Sequence, residues 1–582
     1  MSRTAPPVHQ HSIAESKLRR PFWDAALFAG LLLWTFLLLC FPLLDTDFWW
    51  HLKTGELILH EGHVPQIDWY TFIDLNQPPA WIDLHWGFEI LITLLYRLGG
   101  ANLVILVKAT VITLAVAVGW LAGGRNLPVW QKSALWILPI ICISGRGYER
   151  PEMLSQFFLA AWLWMARNVE RRPGWIWFLP LLQLVWVNCH ALFVLGLFVG
   201  FAYAIDCVAR EFARGRWGLA LPVSNPTFRA IAWVGLLVIV ACFVNPYFEE
   251  GAFFPATLYR KLSVDQEFYS NNVGEFQRPI DLYAKYGWRG WLNLYVLAEF
   301  SVWCLTAASF VWLLKRRRRW SLLRLVLFAG FSHLAWGMAR NTNIFCLVSA
   351  FVLCENLQDA AVGQSSGLNV RAKLHRNWGM AAVLTGLIVS VVTGAWHEIG
   401  DANKPFRLGE ARNWFIHDAA RFAGQKGFPR RAFVANNGQA AVYIYHNARE
   451  RLVFMDGRLE VCTRATFEEF NRIRGMMIFG IPDWQEIFRQ NGGKLPVVIL
   501  DNNTSLMEIR GLMTTPGWRL VFSDPTAAVF LSDAQADTLK LAKVGPCASL
   551  DRDLREVQRR IERLQPQPSA PDSPDELRQM PK

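Results

Sequence analysis

The chain is predicted to be an α-helical multi-pass membrane bundle of about eleven spans, followed by a small extracytoplasmic α/β domain. Three observations predict this. Of 582 residues, 53% are hydrophobic and the mean hydropathy is +0.20, the composition of a membrane protein rather than a large soluble enzyme. The apolar residues gather in successive runs, and the basic residues fall in short clusters between them. After residue 396 this pattern stops, and short β-rich runs alternate with polar turns and amphipathic stretches.

The first run, Ala25 to Leu44, is long enough to span. No small-residue cleavage site follows it, so it reads as an anchor and not a removable signal. Residues 1–24 are then a cytoplasmic N-terminal segment. Further spans are placed near 101–122, 133–147, 152–167, 174–189, 191–208, 229–245, 292–314, 321–338, 342–357 and 378–396. Threading them in order puts Lys17/Arg19/Arg20, Arg125/Lys132, Arg167/Arg171/Arg172, Arg210/Arg214/Arg216, Arg316 to Arg319 and Arg371/Lys373/Arg376 on one side, with the N-terminus. That is the positive-inside pattern of an inner (plasma) membrane protein. It accounts for the net charge of +12 and excludes nucleic acid as a partner, since no basic face accompanies a recognition motif. The 28 Trp and 39 Phe suit aromatic belts at the two interfaces. Pro139, Gly145 and Pro180 interrupt spans, which is tolerated where a span lines a cavity.

The same threading leaves loop 45–100, loop 246–291 and everything after His397 outside the cytoplasm. Residues 25–396 form the membrane domain, 397–545 the α/β domain, and 546–582 a charged helix with a disordered, Pro-rich tail from Pro566. In the α/β part, Ala432–Asn436 and Leu495–Asp501 read as buried strands. Trp518–Phe522 and Ala527–Leu531 read as a hairpin around Ser523-Asp524-Pro525. Eight of the ten cysteines lie in or beside apolar runs and act as small hydrophobes. Cys462 and Cys547 do not, and outside the cytoplasm they could pair as a disulfide. The chain shows no internal repeat.

The chemistry concentrates in the first outer loop, which opens Asp45-Thr-Asp-Phe-Trp-Trp-His-Leu-Lys-Thr-Gly-Glu56. Acidic residues at the mouth of a membrane helix are costly unless they meet water or a ligand. Asp45 and Asp47 stand two apart; in an extended segment both carboxylates would face one side. They could share Mg²⁺ or Mn²⁺, or one could serve as general base while the other orients it, or they could only cap a helix. His51, Glu56 and His85 follow as candidate substrate-binding groups. His60-Glu-Gly-His63 is one residue too short for a zinc-protease motif, and Val64-Pro65 ends any helix there. Three further outer turns offer polar groups: Arg150 in Gly147-Tyr-Glu-Arg-Pro-Glu152, Asn188 and His190 in Asn-Cys-His, and Arg340-Asn341. Glu275 in Glu-Phe-Gln-Arg-Pro279 adds an acid from the long loop. Arg150 could grip a phosphate with its planar fork. The convergence of several outer loops on one face says more than any single motif.

DTDFWWHLKTGELILHEGHVPQIDWYTF, then PAWIDLHWGFEILITLLYRLGG, resembles the first loop of bacterial membrane proteins in the GT-C glycosyltransferase superfamily. The resemblance continues through RPEMLSQFFLAAWLWM, WVNCHALFVLGL, VNPY at 244–247 and FMDGRLEV at 454–461. It implies the architecture of protein O-mannosyltransferases and lipid A aminoarabinose transferases. It also implies a polyprenyl-phosphate sugar as donor, and a lipid, glycan or protein acceptor outside the cytoplasm. The family's catalytic acid in the first loop would match Asp45 or Asp47, with Asp45 favoured as base and Asp47 as metal ligand or orienter. Arg150, and Arg340 with it, would hold the donor phosphate. Relatives often have Gly after the His of the third motif, where this chain has Ala191. A non-catalytic scaffold of envelope polysaccharide assembly, and a transporter of lipid-linked sugars, are the competing readings. A transporter would carry ionisable residues near the midplane and inverted repeats; here the ionisable residues gather at one surface.

Overall fold

The computed structural model describes residues 9–72, 78–169, 171–213, 225–285, 293–362, 370–490 and 494–564. The expected disorder of Pro566–Lys582 lies outside these residues. The chain divides into two compact units: residues up to Gln66 with Ile82–Ala411, and Ile67–Trp81 with the residues from Arg412 onward. A piece of the first outer loop therefore belongs to the second unit.

The first unit is helical. Its helices are α1 (His9–Leu39), α2 (Phe48–Glu61), α3 (Trp86–Ala122), α4 (Val129–Gly145), α5 (Glu152–Asn168), α6 (Leu179–Val187), α7 (Val194–Ala213), α8 (Asn225–Cys242) and α9 (Phe248–Val264). Leu294–Arg317, Leu322–Gly337, Thr342–Ala361 and Val370–Val392 follow. The spans placed from the sequence overlap these helices, although the one at 174–189 begins in a 3-10 segment, Pro173–Phe178, and only then enters α6. Among the described residues, five helices are long and apolar enough to cross a membrane, and four more are apolar but shorter. Helix α5 is in neither group. It is 17 residues long, buried along most of its length, and carries Ser155 and Gln156 inside the bundle. A helix enclosed by protein need meet neither the length nor the apolarity that lipid demands. Helices on the outside instead expose large apolar side chains, among them Phe201, Trp233, Leu236, Ile239 and Val311. Apolar surface on that scale suits a multi-pass membrane protein.

Helix α2 lies inside the predicted loop. Phe48, Trp49, Leu52, Gly55 and Ile58 are buried at helical spacing. Gly62, at φ +74°, ends the helix in the left-handed conformation with its N–H donating to Ile58 O at 2.9 Å. Two glycines allow backbones to meet. A Cβ on Gly55 would stand 2.2 Å from Glu89 O, so α2 lies directly against α3. A Cβ on Gly87 would stand 2.5 Å from Asn188 O, which accepts the Gly87 N–H at 2.9 Å.

The second unit contains a five-stranded sheet of order β2-β1-β3-β5-β4. Its strands are β1 (Arg431–Val434), β2 (Leu452–Val453), β3 (Val497–Asp501), β4 (Trp518–Ser523) and β5 (Ala527–Ser532). The first three pair in parallel, and β4–β5 is the expected hairpin, antiparallel to β3 through β5. Cys462 and Cys547 are separate free thiols, not a disulfide. Cys462 is buried behind the turn at Asp456, whereas Cys547 donates to Asp524 O at 3.1 Å beside the β4–β5 turn.

The segment FMDGRLEV builds a buried ion cluster in this unit. Arg458 is fully enclosed and donates to Asp456 Oδ2 and Asp68 Oδ1, both at 2.6 Å. Its guanidinium lies over the rings of Tyr70 and Trp81, at 4.7 and 4.3 Å. Burial alone would strip the proton, but Asp456 and Asp68 outweigh it and hold Arg458 charged far above its ordinary range. Arg458→Met leaves two buried carboxylates without a counter-charge. We expect it to destabilise this unit by about 3–5 kcal/mol, read as an earlier unfolding step in denaturant; an unchanged midpoint would show the cluster to be dispensable.

Candidate active site

The site of the first unit is assembled at the junction between α4 and α5. Arg146 follows the carboxyl end of α4, and Glu152 opens α5. Each charge complements the helix end it occupies. Between them the turn 146–151 carries Arg150 to the mouth of α1. There Arg150 meets Asp45 through Nε and through Nη2 (2.9 Å to Oδ1), Asp47 Oδ2 through Nη2 (3.0 Å), and both oxygens of Glu275 through Nη1 (3.1 Å each). One guanidinium thus draws three carboxylates together with every face of its fork. Burial works against its charge, and Asp45, Glu275 and Asp47 more than offset this, so its proton is held more tightly than usual.

Asp45 and Asp47 do not lie in an extended segment. Asp47 has helical dihedrals at the start of α2, and its N–H donates to Asp45 Oδ1 at 3.1 Å. This bond, together with Arg150, brings the two carboxylates to one side. Their accessibility differs: the Asp45 side chain is 3% exposed, the Asp47 side chain 23%.

The network extends away from Asp45. Arg146 Nη2 lies 3.3 Å from Glu275 Oε2 and 3.8 Å from Glu152 Oε2. Arg340 Nη2 lies 3.1 Å from Glu152 Oε1, and its guanidinium stands over the ring of Phe276 at 5.3 Å. Ala339 N–H donates to Gln277 O at 2.9 Å, which ties the Arg340 turn to the Glu275 loop. Burial would raise the Glu275 pKa, but Arg150, Arg146 and Arg340 override it and drive it below the usual carboxylate range. Glu275 therefore stays ionised at any pH near neutrality. Its contribution to stability is full above about pH 4.3, the unfolded value, and fades only as pH falls toward the depressed one.

Next to Arg340 lies a row of imidazoles. His190 and His85 have ring centroids 5.5 Å apart, and His85 and His51 5.4 Å. His51 Nδ1 pairs with Glu89 Oε1 at 2.9 Å, and His85 Nδ1 lies 3.4 Å from Asp83 Oδ1. Ser155 Oγ accepts Trp186 Nε1–H at 2.8 Å and lies 2.8 Å from His190 Nδ1. Oγ keeps a second lone pair as well as its proton, so it can meet Nδ1 either as acceptor or as donor. Burial first, then His85 and Arg340, lower the His190 pKa well below its ordinary value. His190 is thus a neutral imidazole beside a cationic guanidinium.

Not every residue singled out from the sequence joins this row. Asn188 is consumed by architecture: Nδ2 donates to Leu184 O and Val244 O at 2.8 and 2.9 Å, and Oδ1 accepts Trp86 Nε1–H at 3.0 Å. Glu56 sits along α2 beside Lys53, at 3.7 Å. His60, in the last turn of α2, and His63, past its end, are both exposed. Among the described residues, no group of three or more His, Cys, Asp or Glu converges as a metal site. Arg146 and Lys108 lie outside the motifs, and Glu149 and Ser155 lie within them without a role assigned; all four carry parts of the arrangement. Lys108 Nζ and Glu149 Oε1, both fully buried, pair at 2.8 Å beneath the 146–151 turn.

No protein-family model matches the chain, and no curated protein matches it. Solved structures do. The oligosaccharyltransferase of Archaeoglobus fulgidus, solved with Zn and sulfate, is 12% identical over 87% of this chain and 73% of its own, with a TM-score of 0.50. ArnT from Cupriavidus metallidurans in the apo state is 14% identical over 86% and 96%, at 0.46. The arabinofuranosyltransferase AftD from Mycobacteria is 13% identical over 88% and 40%, at 0.47. The likeness to the first of these gives the chain the GT-C fold that the loop motifs imply. At such identity it shows the fold alone.

Proposed function

We propose that the protein is an integral membrane glycosyltransferase that moves a sugar from a polyprenyl-phosphate carrier to a hydroxyl of an extracytoplasmic lipid, glycan or protein. A fold does not specify an activity. The observation that carries the reading is the continuous row from Asp47 through Arg150, Glu275 and Arg340 to the neutral His190, built on a GT-C bundle. It pairs a carboxylate for the incoming hydroxyl with cations for the departing phosphate.

In this reading the acceptor oxygen attacks the anomeric carbon, and the bond from that carbon to the phosphate oxygen breaks. The hydroxyl proton passes to a carboxylate, and the carrier leaves with the bonding electrons as polyprenyl phosphate. Accessibility favours Asp47 as the base. Asp45, closed off by Arg150, becomes its orienter. Arg150 is engaged by three carboxylates, so it fixes the acidic pair, and holding a phosphate would require it to give one up. Arg340, engaged by one, is the better phosphate ligand. With Ser155 donating to Nδ1, His190 Nε2–H donates to a sugar or phosphate oxygen beside it. Mg²⁺ and Mn²⁺ fit this arrangement poorly, because both aspartates face a guanidinium.

The test compares carrier lipids and envelope glycans in cells with wild type, a deletion, and Asp47→Asn. Accumulation of one polyprenyl-phosphate sugar in the deletion and in the inserted variant supports the reading. A variant that restores the wild-type profile would favour the scaffold alternative. In purified protein, transfer should survive EDTA; loss rescued by Mn²⁺ would return Asp45 and Asp47 to the role of metal ligands.

His190 yields a second expectation. Gln can offer an N–H near the Nε2 position, and Ala cannot. His190→Gln should keep most of the turnover, while His190→Ala loses about 100- to 1000-fold. Because burial and Arg340 hold His190 neutral, its protonation should produce no acid limb in the rate profile between pH 6 and 8. A limb that disappears in His190→Gln would overturn this.

A further inference from the structure

We infer that the opposite end of the bundle holds a second, separate site for the phosphate group of an anionic lipid, independent of the sugar-transfer reading. A cavity of about 550 Å³ lies where α3 ends, α4 begins and α5 ends. The 17 residues of α5 separate it from Arg150 by about 25 Å at 1.5 Å per residue. Arg125, Lys132, Arg171 and Arg172 line it with Trp120 and Trp164.

Basic residues at this end are ordinary in a membrane protein. Two features set these apart. Lys132 is 3% exposed, and its ammonium lies 3.6 Å above the ring of Trp120. A buried ammonium is rare without a counter-ion, yet among the described residues none of the four cations has a carboxylate within ion-pair distance. The nearby Glu355 is already engaged: it takes Arg167 Nε at 2.6 Å, Arg324 Nη2 at 3.4 Å and Gly124 N–H at 2.9 Å. Arg125 reaches only the amide oxygen of Asn168. Burial, and then the charges of Arg171 and Arg167, lower its hold on its proton, and Glu355 offsets them only in part.

The ligand that satisfies these groups is an anion with several acceptor oxygens, seated in the cavity. Its apolar part has a path. Leu121, at the rim, is 45% exposed, and Trp175 packs 4.7 Å from Trp164 while Arg172 lies over its ring. Cations around a concave seat, with apolar surface leading away, match a phosphate headgroup whose chains lie along the bundle.

The test uses the full chain in nanodiscs of phosphatidylcholine with a small fraction of phosphatidic acid, followed by a delipidating detergent wash and native mass spectrometry. Wild type should retain one phosphatidic acid. Lys132→Gln, and independently the exposed pair Arg171→Gln/Arg172→Gln, should lower that retention about tenfold. Arg316→Gln/Arg318→Gln/Arg319→Gln removes more charge elsewhere, three against one or two, and should change it little. Millimolar inorganic phosphate distinguishes the sources. Displacement of the lipid supports recognition of the phosphate group alone, and retention supports headgroup and chain together. Equal retention by wild type and both cavity variants would overturn the site. So would an equal loss in the Arg316 control, which would reduce the cluster to general surface charge.

Discussion

Asp47→Asn should lower the turnover of purified enzyme by about 10²- to 10⁴-fold, the span of a lost general base, with the KM for the lipid-linked donor nearly unchanged. The amide keeps the shape and the hydrogen bond at Arg150 Nη2 but cannot take the acceptor's proton. The donor binds through other groups, so the loss belongs to the transition state and appears in kcat. Asp45→Asn should behave differently. Both oxygens of Asp45 accept hydrogen bonds, from Arg150 and from Asp47 N–H. An amide there turns an N–H toward the guanidinium, donor against donor. Arg150 then shifts toward Glu275, and Asp47 loses its place. That variant should lose turnover and also change donor KM, because Glu275 shares its charge with Arg146 and lies in the field of Arg340. Wild-type turnover in Asp47→Asn with a pure kcat loss in Asp45→Asn would reverse the two roles. The measurement is steady-state transfer from a polyprenyl-phosphate sugar in detergent, with each variant first shown to insert and to bind the donor.

Much of this site is legible in the sequence because its polar residues stand where apolar runs stop. Asp45, Arg150, His190 and Arg340 each occupy such a turn, and a polar group at membrane depth has few reasons to be there. Helix positions are legible for the same reason, since hydropathy reads the length of an apolar run directly. The roles of the residues are not. Arg150 as the hub of three carboxylates depends on Glu275, 125 positions away, and no spacing encodes that. Asn188 looked like a ligand from its setting, yet its amide is spent on Leu184, Val244 and Trp86. Helix α2 was hidden because its aromatic-rich, charged sequence falls below the apolarity of a span and interrupts what reads as a loop. The adherence of Ile67–Trp81 to the second unit rests on backbone pairing with Val453 and on Asp68 meeting Arg458 across 390 positions. Long-range ion pairs of this kind follow from the finished fold and leave no local periodicity to read.

Lys108 and Glu149 show how such a pair can govern the site without touching substrate. Glu149 stands next to Arg150 and is fully buried, and Lys108 is buried in α3 with its ammonium also over the ring of Phe41 at 3.5 Å. Lys404 adds a second clamp, donating to Gly145 O at 2.5 Å and standing over Tyr148 at 4.5 Å. The turn that aims Arg150 is therefore held from two sides. Lys108→Met leaves Glu149 buried without its partner, and a stranded buried charge costs about 3–5 kcal/mol. We expect a large drop in thermal stability and a loss of transfer, with Arg150 displaced from Asp45. The double variant Lys108→Met/Glu149→Leu removes both charges together. Replacing a buried ion pair by apolar groups of similar size is often neutral or stabilising, so stability should return to near the wild-type value. Activity decides what the pair is for. If the double variant also recovers turnover, the pair serves only to fill the space beneath the turn. If it is stable but slow, with kcat reduced and donor KM kept, then the ion pair sets the aim of Arg150, and Lys108 and Glu149 are positioning residues of the site. We expect the second result, because apolar packing under the turn cannot reproduce the 2.8 Å anchor that fixes the backbone beside Arg150.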